Sequence, residues 1–180
     1  MKLEYTTDWS TQHFAKWAEV LAPFKDSPVQ ALELGSFEGR SAIWFLQNIL
    51  THDGSRLVCI DGWWNKDVHR RFLTNIIAAD VFTRCEARRG DTHALLRGLR
   101  QRFDFIYIDA DHKAHAVIQD AVMAWRNLNH GGILIFDDYL WIDERSKSPP
   151  PKVGVDAFLA THEGQYEVLH KDWQVILRKL

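Results

Sequence analysis

The segment QALELGSFEGRS, residues 30–41, decides the fold of this 180-residue chain. Its first five residues are mostly apolar and predict a short buried strand, and a helix with an apolar stripe follows from about Arg40 to Leu50. Between them, Gly35 and Gly39 let the backbone turn tightly and pass close to a ligand. The segment therefore predicts a strand, a ligand-binding turn and a helix, the opening unit of a doubly wound α/β sheet.

Strand and helix patterns alternate from residue 30 to about residue 140, which favours a parallel sheet covered by helices. The strands predicted are Gln30–Leu34, Arg56–Asp61, Phe82–Arg88, Phe103–Asp109, Ile133–Phe136 and an antiparallel hairpin of Tyr166–His170 with Trp173–Arg178. We expect a doubly wound, mostly parallel, seven-stranded Rossmann-like sheet that ends in this C-terminal hairpin.

Glycine and proline positions predict where the later elements end. The long helix that contains Val117, Ala121 and Trp125 should stop at the glycine pair Gly131-Gly132. Three consecutive prolines predict an extended loop, and a short helix should begin only at Val155. The predicted organisation is a single domain, 1–180, with an N-terminal helical segment (1–28), a cofactor-binding core (29–140), a loop (141–153) and a C-terminal helix and hairpin (154–180).

Composition excludes several classes of partner. The formal charge of −2 gives no basic excess for binding phosphates, so we expect no nucleic-acid partner. No apolar run is long enough to span a bilayer, and the first residues lack the apolar core of a signal peptide, so no membrane partner is expected. Cys59 and Cys85 lie in strand-like runs and are predicted to be core thiols, which favours a cytoplasmic location.

The turn after the first strand does not suit a dinucleotide. Pyrophosphate-binding turns have the pattern Gly-x-Gly-x-x-Gly, whereas here Phe37 and Glu38 would crowd and repel a phosphate. The observed pattern, Glu-x-Gly-x-x-x-Gly-x-Ser, resembles motif I of the class I S-adenosylmethionine-dependent methyltransferases. The alternative is an ordinary tight turn in another α/β protein.

That resemblance implies a set of cofactor contacts. Asp61 stands where such folds hold both ribose hydroxyls. Trp63 could cover the adenine or anchor the next helix, and Asp91-Thr92 could contact the adenine amine or cap a helix. The predicted cofactor-binding residues are Glu33, Gly35, Ser36, Phe37, Gly39, Ser41, Asp61, Gly62, Trp63, Asp91, Thr92 and Asp109.

Acidic residues follow the fourth and fifth strands. Asp109 and Asp111 come after one strand, and Asp137-Asp138 after the next, so all should meet at the carboxyl edge of the sheet. Gathered carboxylates repel one another unless they are protonated or bind a cation. Their hard oxygens suit Mg²⁺, Mn²⁺ or Ca²⁺. Alternatively, such acids only cap turns and helices, as Asp111 could.

Two longer segments carry a closer resemblance. FDFIYIDADH (103–112) and GGILIFDDY (131–139) resemble the metal-dependent O-methyltransferases, most closely the macrocin-type and sugar O-methyltransferase branch, and the similarity extends from about Thr7 to the hairpin. It implies that Asp109, Asp137 and Asp138 bind a divalent metal, with Mg²⁺ as first choice and Ca²⁺ or Mn²⁺ as alternatives. Asp138 departs from the catechol and caffeoyl-CoA enzymes, which have asparagine there.

The general base has two candidates. Catechol-type enzymes place a lysine three residues after the first metal-binding acid, and this chain has His112 there. A histidine could accept a proton from a metal-acidified hydroxyl. Asp111 is the rival, because some sugar-methylating relatives use an acid at that position.

The predicted function is metal-assisted O-methylation of a small hydroxylated acceptor by S-adenosylmethionine. Since the catalytic core takes up most of the chain, either the acceptor lies in an open cleft or a second copy, in a homodimer, completes the site. The alternatives are a metal-independent methyltransferase, a hydroxylase-linked relative of the same fold, a non-catalytic cofactor-binding protein and a nicotinamide dehydrogenase.

Overall fold

A computed structural model of the protein describes residues 2–180. The strands, in chain order, are β1 (Gln30–Leu34), β2 (Arg56–Asp61), β3 (Cys85–Arg89), β4 (Phe103–Ile108), β5 (Leu128–Phe136), β6 (Tyr166–Lys171) and β7 (Val175–Lys179). The α-helices are α1 (Phe14–Val20), α2 (Arg40–Asn48), α3 (Lys66–Ala78), α4 (Thr92–Gly98), α5 (Ala114–Trp125) and α6 (Pro151–Thr161).

Within residues 2–180, seven strands form one sheet in the order β3-β2-β1-β4-β5-β7-β6. β2 pairs in parallel with β1 and β3, and β4 pairs in parallel with β5. The hairpin of β6 and β7 is antiparallel, and β7 pairs antiparallel with β5. The predicted mostly parallel sheet with a C-terminal antiparallel hairpin is confirmed.

The described chain divides into two compact units, one that ends at Asp91 and one that runs from Thr92 to Leu180. The predicted single domain and its internal divisions stay predictions, and Met1 of the expected N-terminal segment lies outside the described residues. Across residues 2–180, every helix is too short or too polar to cross a membrane.

In the first unit the ends of neighbouring strands lie level with one another. The register pairs Leu34, which ends β1, with Ile60, and it pairs Asp61, which ends β2, with Arg89. The backbone N–H of Gly35 continues this pattern by donating to the Ile60 carbonyl at 2.8 Å. The turn after β1 therefore lies beside the acidic end of β2.

The second unit aligns β4 and β5 in the same way. Ile108, the last residue of β4, pairs with Phe136, the last residue of β5. The N–H of Asp137 donates to the Ile108 carbonyl at 3.0 Å. Asp109 and Asp137 consequently leave the strands at one level, as expected for the carboxyl ends of parallel strands.

The predicted end of the long helix was wrong. α5 ends at Trp125, and Gly131 and Gly132 lie inside β5, where the pairing register shifts. A Cβ at Gly132 would lie 2.8 Å from the Asn129 carbonyl oxygen and 2.9 Å from that of Asp104. Gly132 is therefore needed where two backbone segments approach closely at an irregularity in the strand. In the sequence, such a glycine cannot be told from one that ends a helix.

Two predicted boundaries also move. α6 begins at Pro151 rather than Val155, so the predicted 141–153 loop is shorter than expected. Proline suits the first position of a helix because the N–H it lacks would have no helical partner there. β3 begins at Cys85, after a 3₁₀ turn at Phe82–Arg84.

Candidate active site

The turn between β1 and α2 is built on left-handed backbone conformations. Gly35 and Gly39 have φ angles of 82° and 84°, which glycine adopts without strain. Phe37 lies between them with a φ of 47°, an uncommon conformation for a bulky residue. A Cβ at Gly39 would also lie 3.0 Å from the Phe72 ring. The shape of the turn therefore requires both glycines of the predicted cofactor motif.

Glu33 lies beneath this turn and is fully buried. Its carboxylate accepts hydrogen bonds from the Ser36 hydroxyl at 2.5 Å and from the Ser41 hydroxyl at 2.6 Å. The Cys59 thiol donates to it at 3.5 Å. Burial raises the pKa of Glu33 to about 7, against the lowering effect of these donors. Three residues of the predicted cofactor motif thus hold the turn together from inside.

The two cysteines lie on adjacent strands. Cys59 in β2 is buried, whereas Cys85 at the start of β3 is half-buried, and both thiols are free. Their sulfur atoms are 3.8 Å apart. Burial raises the pKa of the Cys59 thiol well above its ordinary value. The prediction of a core thiol is confirmed for Cys59, whereas Cys85 is only half-buried.

Asp61 holds the same turn from the neighbouring strand. One of its carboxylate oxygens accepts from the backbone N–H groups of Ser36 and Phe37, both at 2.9 Å. The other oxygen accepts from the backbone N–H of Trp63 at 2.7 Å. Asp61 therefore stabilises the turn through three backbone hydrogen bonds. Its predicted contact with the ribose stays a prediction.

The two indoles after β2 have opposite environments. Trp63 is 2% exposed, packs 4.5 Å from the Phe72 ring and donates its Nε1–H to the Phe37 carbonyl at 2.8 Å. Trp64 is 81% exposed and covers Gly62, where a Cβ would lie 2.3 Å from the indole nitrogen. These contacts favour the anchoring role for Trp63, and its adenine contact stays a prediction.

Glu38 has a role that the sequence did not reveal. It is 1% exposed and accepts from the Thr6 N–H at 2.7 Å, the Thr6 hydroxyl at 2.9 Å and the Arg71 Nε–H at 2.5 Å. Burial opposes its ionisation, but these donors outweigh burial, so the pKa of Glu38 lies below its ordinary value. Nearby, Trp9 rests on the Phe37 ring with centroids 5.3 Å apart. The N-terminal segment is thereby fastened to the turn.

Asp91 and Thr92 lie next to the start of α4. The helix begins at Thr92, and Asp91 directly before it is exposed. The N–H of Gly90 donates to the Asp61 carbonyl at 2.9 Å, which brings the end of this segment beside β2. An adenine contact and a helix cap both fit this position, and both stay predictions.

Among the described residues of the second unit, three ligand-type side chains converge after β4 and β5. One oxygen or nitrogen atom from each of Asp109, His112 and Asp138 lies within 4.8 Å of the other two. His112 Nε2 is 2.5 Å from Asp138 Oδ2, and this hydrogen bond raises the pKa of His112. With Ile108 and Val117 these side chains line a small open cleft.

Asp137, the remaining predicted metal ligand, accepts hydrogen bonds from two groups outside the three converging side chains. The hydroxyl of Tyr107, whose side chain is fully buried, donates to Asp137 Oδ2 and lies 3.2 Å from Asp109 Oδ2. The other Asp137 oxygen accepts the backbone N–H of Asp138 at 2.8 Å. Sequence reasoning missed Tyr107 because an aromatic residue in a strand buried on both faces is expected to be core.

The two candidate bases have different surroundings. Asp111 is exposed, and one of its oxygens accepts the N–H of Lys113, the N-cap residue of α5, at 3.0 Å. The His112 ring lies 4.7 Å from the Trp141 ring, so the start of the predicted 141–153 loop borders the cluster. The contact to Lys113 stabilises the turn before α5 and is not a cap of the helix, and the role of Asp111 as a base stays a prediction.

The turn after Asp138 is tied to α6. The Tyr139 hydroxyl donates to Asp156 at 2.8 Å and accepts from the Lys152 ammonium group at 2.5 Å. Lys152 also pairs with Asp156 at 2.6 Å. This network fixes the direction of the chain immediately after the acid pair.

Residues 32–139 match the model of a family described as a methyltransferase domain. A curated relative, Uncharacterized protein R132 of Acanthamoeba polyphaga mimivirus, is 28% identical over 134 residues, which cover 71% of this chain and 59% of that protein. The chain thus spans about three fifths of the length of this relative.

Solved structures share the fold over almost the whole chain. The O-methyltransferase from Bacillus cereus in complex with SAH has a TM-score of 0.74 at 23% identity, covering 98% of this chain and 84% of that chain. The O-methyltransferase TomG from Streptomyces achromogenes, involved in tomaymycin synthesis and in complex with SAM, has a TM-score of 0.76 at 16% identity, with 96% and 81% covered. At these identities the likeness shows a common fold.

Proposed function

Because the chain belongs to the methyltransferase-domain family, we propose that it transfers the methyl group of S-adenosylmethionine to a small hydroxylated acceptor. A divalent cation bound after β4 and β5 assists the transfer. The observation that carries this proposal is the convergence of Asp109, His112 and Asp138, whose ligand atoms lie within 4.8 Å of one another. A fold alone does not define a reaction, whereas a cation site beside a cleft suits hydroxyl chemistry.

The cofactor part of the proposal rests on the turn after β1. Its glycines bring the backbone close to a ligand. The Glu38 carboxylate is buried against Thr6 and Arg71. The bulk of Phe37, and not the charge of Glu38, therefore disfavours a pyrophosphate. The two solved relatives hold SAH and SAM. The proposed cofactor contacts are the turn itself, Asp61 with the two residues after it, Asp91-Thr92 and Asp109.

The donor set after the two strands fits a divalent cation. The carboxylates of Asp109, Asp137 and Asp138 offer hard oxygen ligands, which suit Mg²⁺, Mn²⁺ and Ca²⁺. When bound, such a cation orients an acceptor hydroxyl and lowers its pKa. The donors supplied by the chain are thus appropriate for the proposed reaction.

The proposed transfer is an in-line displacement. The acceptor oxygen forms a bond to the methyl carbon while the carbon–sulfur bond breaks, so the sulfonium becomes the thioether of S-adenosylhomocysteine. The hydroxyl proton passes to Asp111 or His112, the two side chains that sequence reasoning selected as bases. The remaining contribution of the protein is to hold the reacting atoms in line.

A small molecule is the proposed partner, and a nucleic acid or a membrane is not. The net charge of −2 supplies no general attraction for polyanions. A cytoplasmic location and a homodimer that completes the acceptor cleft belong to the same proposal.

Calorimetric titration tests the cofactor. S-adenosylmethionine and S-adenosylhomocysteine should both bind, with or without chelator, since every proposed cofactor contact except Asp109 lies outside the acid cluster. Release of S-adenosylhomocysteine in the presence of a panel of catechols and sugars should then require Mg²⁺ or Mn²⁺.

Asp138→Gly separates the cation from the cofactor. Glycine tolerates the φ of 56° at this position, so the variant should fold without the carboxylate. Turnover should fall at least about a hundredfold while cofactor affinity stays within about threefold, because the lost ligand belongs to the cation site. Asp143→Asn, in the following loop, should leave both unchanged.

Absence of binding heat for either cofactor form contradicts the proposal, and turnover that chelator does not affect favours the metal-independent alternative.

A further inference from the structure

We propose that Cys59 and Cys85 are a redox-sensitive pair, and that a disulfide between them weakens cofactor binding at the turn after β1. The oxidant is hydrogen peroxide. Both cysteines belong to the first unit, one in β2 and one in β3. Formation of the bond depends on the two thiols alone, whereas its effect on S-adenosylmethionine rests on the proposed function.

The two thiols are close together and differ in exposure. Their sulfur atoms are 3.8 Å apart, and both cysteines are free. Cys59 is buried, whereas Cys85 is half-buried, so a small oxidant reaches Cys85 first. Cysteines that respond to peroxide are typically accessible and lie next to a second cysteine that resolves the oxidised form. The pair has this arrangement.

The chemistry requires hydrogen peroxide and no further reactant. The Cys85 sulfur takes an oxygen atom as the O–O bond breaks, which gives a sulfenic acid and one water. The Cys59 sulfur then bonds to the Cys85 sulfur while the S–O bond breaks, so the two sulfurs have supplied two electrons. The Glu33 carboxylate accepts the Cys59 S–H at 3.5 Å. It can take this proton during the attack and return it to the departing hydroxide, which leaves as a second water.

The strand register shows that the disulfide must move the start of β3. Cys59 pairs with Ala87 and Cys85 pairs with Leu57, so the cysteines are offset by two residues. At about 3.3 Å per residue and about 4.8 Å between strands, their Cα atoms are roughly 8 Å apart, beyond the limit of about 7 Å for an undistorted disulfide. Cys85 can move because it is the first residue of an edge strand and follows a 3₁₀ turn. A strained disulfide is also easily reduced, so the pair is reversible.

Two supports of the cofactor turn depend on β2 beside this pair. The Cys59 S–H donates to Glu33, which also holds the Ser36 hydroxyl, and the disulfide removes this donor. Asp61, two residues after Cys59, accepts the backbone N–H groups of Ser36 and Phe37. The Asp61 carbonyl in turn accepts the N–H of the residue that follows β3. Oxidation therefore disturbs the turn through Glu33 and, as β3 moves, through Asp61.

Peroxide treatment of the full chain tests the disulfide. The intact mass under non-reducing conditions should fall by two hydrogen atoms, and peptide mapping should link Cys59 to Cys85. Dithiothreitol should restore the starting mass. Cys85→Ser is the matched control, because its half-buried position tolerates a hydroxyl and the variant cannot form the bond.

Calorimetric titration with S-adenosylhomocysteine tests the effect on the cofactor. The disulfide should lower the affinity at least about tenfold, and dithiothreitol should restore it. Cys85→Ser should bind equally well before and after peroxide treatment, which separates the pair from any other oxidised side chain. Because the coupling is reciprocal, saturating S-adenosylhomocysteine should shift the equilibrium with a glutathione buffer about tenfold toward the dithiol, or about 30 mV.

Amide hydrogen exchange tests the turn without any cofactor. The N–H groups of Ser36 and Phe37 should exchange at least about tenfold faster in the oxidised protein. Absence of the Cys59–Cys85 link would overturn the inference, as would a link that leaves the affinity for S-adenosylhomocysteine unchanged. If the reduced protein does not bind S-adenosylhomocysteine, the proposed cofactor is wrong, and the exchange result then decides the inference: faster exchange supports it and unchanged exchange overturns it.

Discussion

Glu33 couples the folding of the first unit to pH. Burial raises its pKa from 4.5 to about 7. The folded protein therefore keeps a proton on this carboxyl that the unfolded chain releases above pH 4.5. The stabilisation from Glu33 is complete below pH 4.5 and is lost as the pH rises through about 7.

Glu33→Gln should remove this pH dependence, because glutamine imitates the neutral acid. Between pH 5 and pH 8, the free energy of unfolding of the variant should rise relative to wild type by about 2–3 kcal/mol. Urea denaturation at both pH values measures the difference. Glu38→Gln is the control with the opposite sign. Because the pKa of Glu38 is lowered by folding, its ionised carboxylate stabilises the folded protein above the pKa of the unfolded chain. That stabilisation is lost as the pH falls. Parallel pH profiles for Glu33→Gln and wild type would refute the prediction.

Single residues differ in how far the sequence reveals them. Glu33 and the glycines of the turn could be predicted because their spacing is local. Glu38 and Tyr107 could not, since Thr6 lies 32 positions from Glu38 and Asp137 lies 30 positions from Tyr107. The hydrogen-bonding roles of such residues depend on which distant segment the fold brings beside them.

At the scale of elements, α6 packs on α5 through a position without a side chain. A Cβ at Gly154 would lie 2.3 Å from the Ala114 carbonyl oxygen and 3.0 Å from its carbonyl carbon. Both neighbours are backbone atoms, which cannot move aside as a flexible side chain can. The close approach of the two helices therefore depends on glycine.

Gly154→Ala should destabilise the protein by about 1–3 kcal/mol, because overpacking outweighs the gain of about 1 kcal/mol that alanine brings to a helix. Chemical denaturation midpoints measure the loss. Gly98→Ala, at the end of α4, has nothing within 4 Å of the added Cβ and should be neutral or slightly stabilising. A Gly154→Ala variant as stable as wild type would show that the helices can separate without cost.

Elements were predicted best where burial is continuous. β1 and β2 have the predicted bounds, because a short apolar run ending at a glycine turn or an acid fits only a strand. The end of α5 was misplaced because Leu128 continues the helical spacing although it is already in β5. A buried leucine fits both the helical and the strand spacing of apolar residues, so the pattern could not show where the helix ends and the strand begins.

For the whole molecule, cofactor binding should appear as thermal stabilisation. S-adenosylhomocysteine at about one hundred times its Kd adds about 2.7 kcal/mol to the stability of the folded state. For a chain of this size that corresponds to a rise in Tm of roughly 5–11 °C. Differential scanning calorimetry measures the shift. NAD⁺ should give none, and a rise with NAD⁺ but not with S-adenosylhomocysteine would favour the dehydrogenase alternative.

The class of the whole fold was predictable, whereas the acceptor was not. The mostly parallel sheet follows from the alternation of strands and helices along the chain. The proposed acceptor surface instead depends on contacts such as that of Trp141 with His112, which join segments with no common sequence pattern. Four acids after two strands indicated a cation site, but the pattern did not reveal the Tyr107 hydroxyl that contacts both Asp109 and Asp137.

Selection for stability and selection for activity should favour different residues at position 37. Its left-handed backbone conformation costs on the order of 1 kcal/mol, which asparagine or glycine would recover. A library screened only for heat resistance should therefore enrich those residues at position 37 and discard the aromatic contact with Trp9. A library screened for turnover should retain phenylalanine if that contact shapes the cofactor site, so the two screens should diverge at this position.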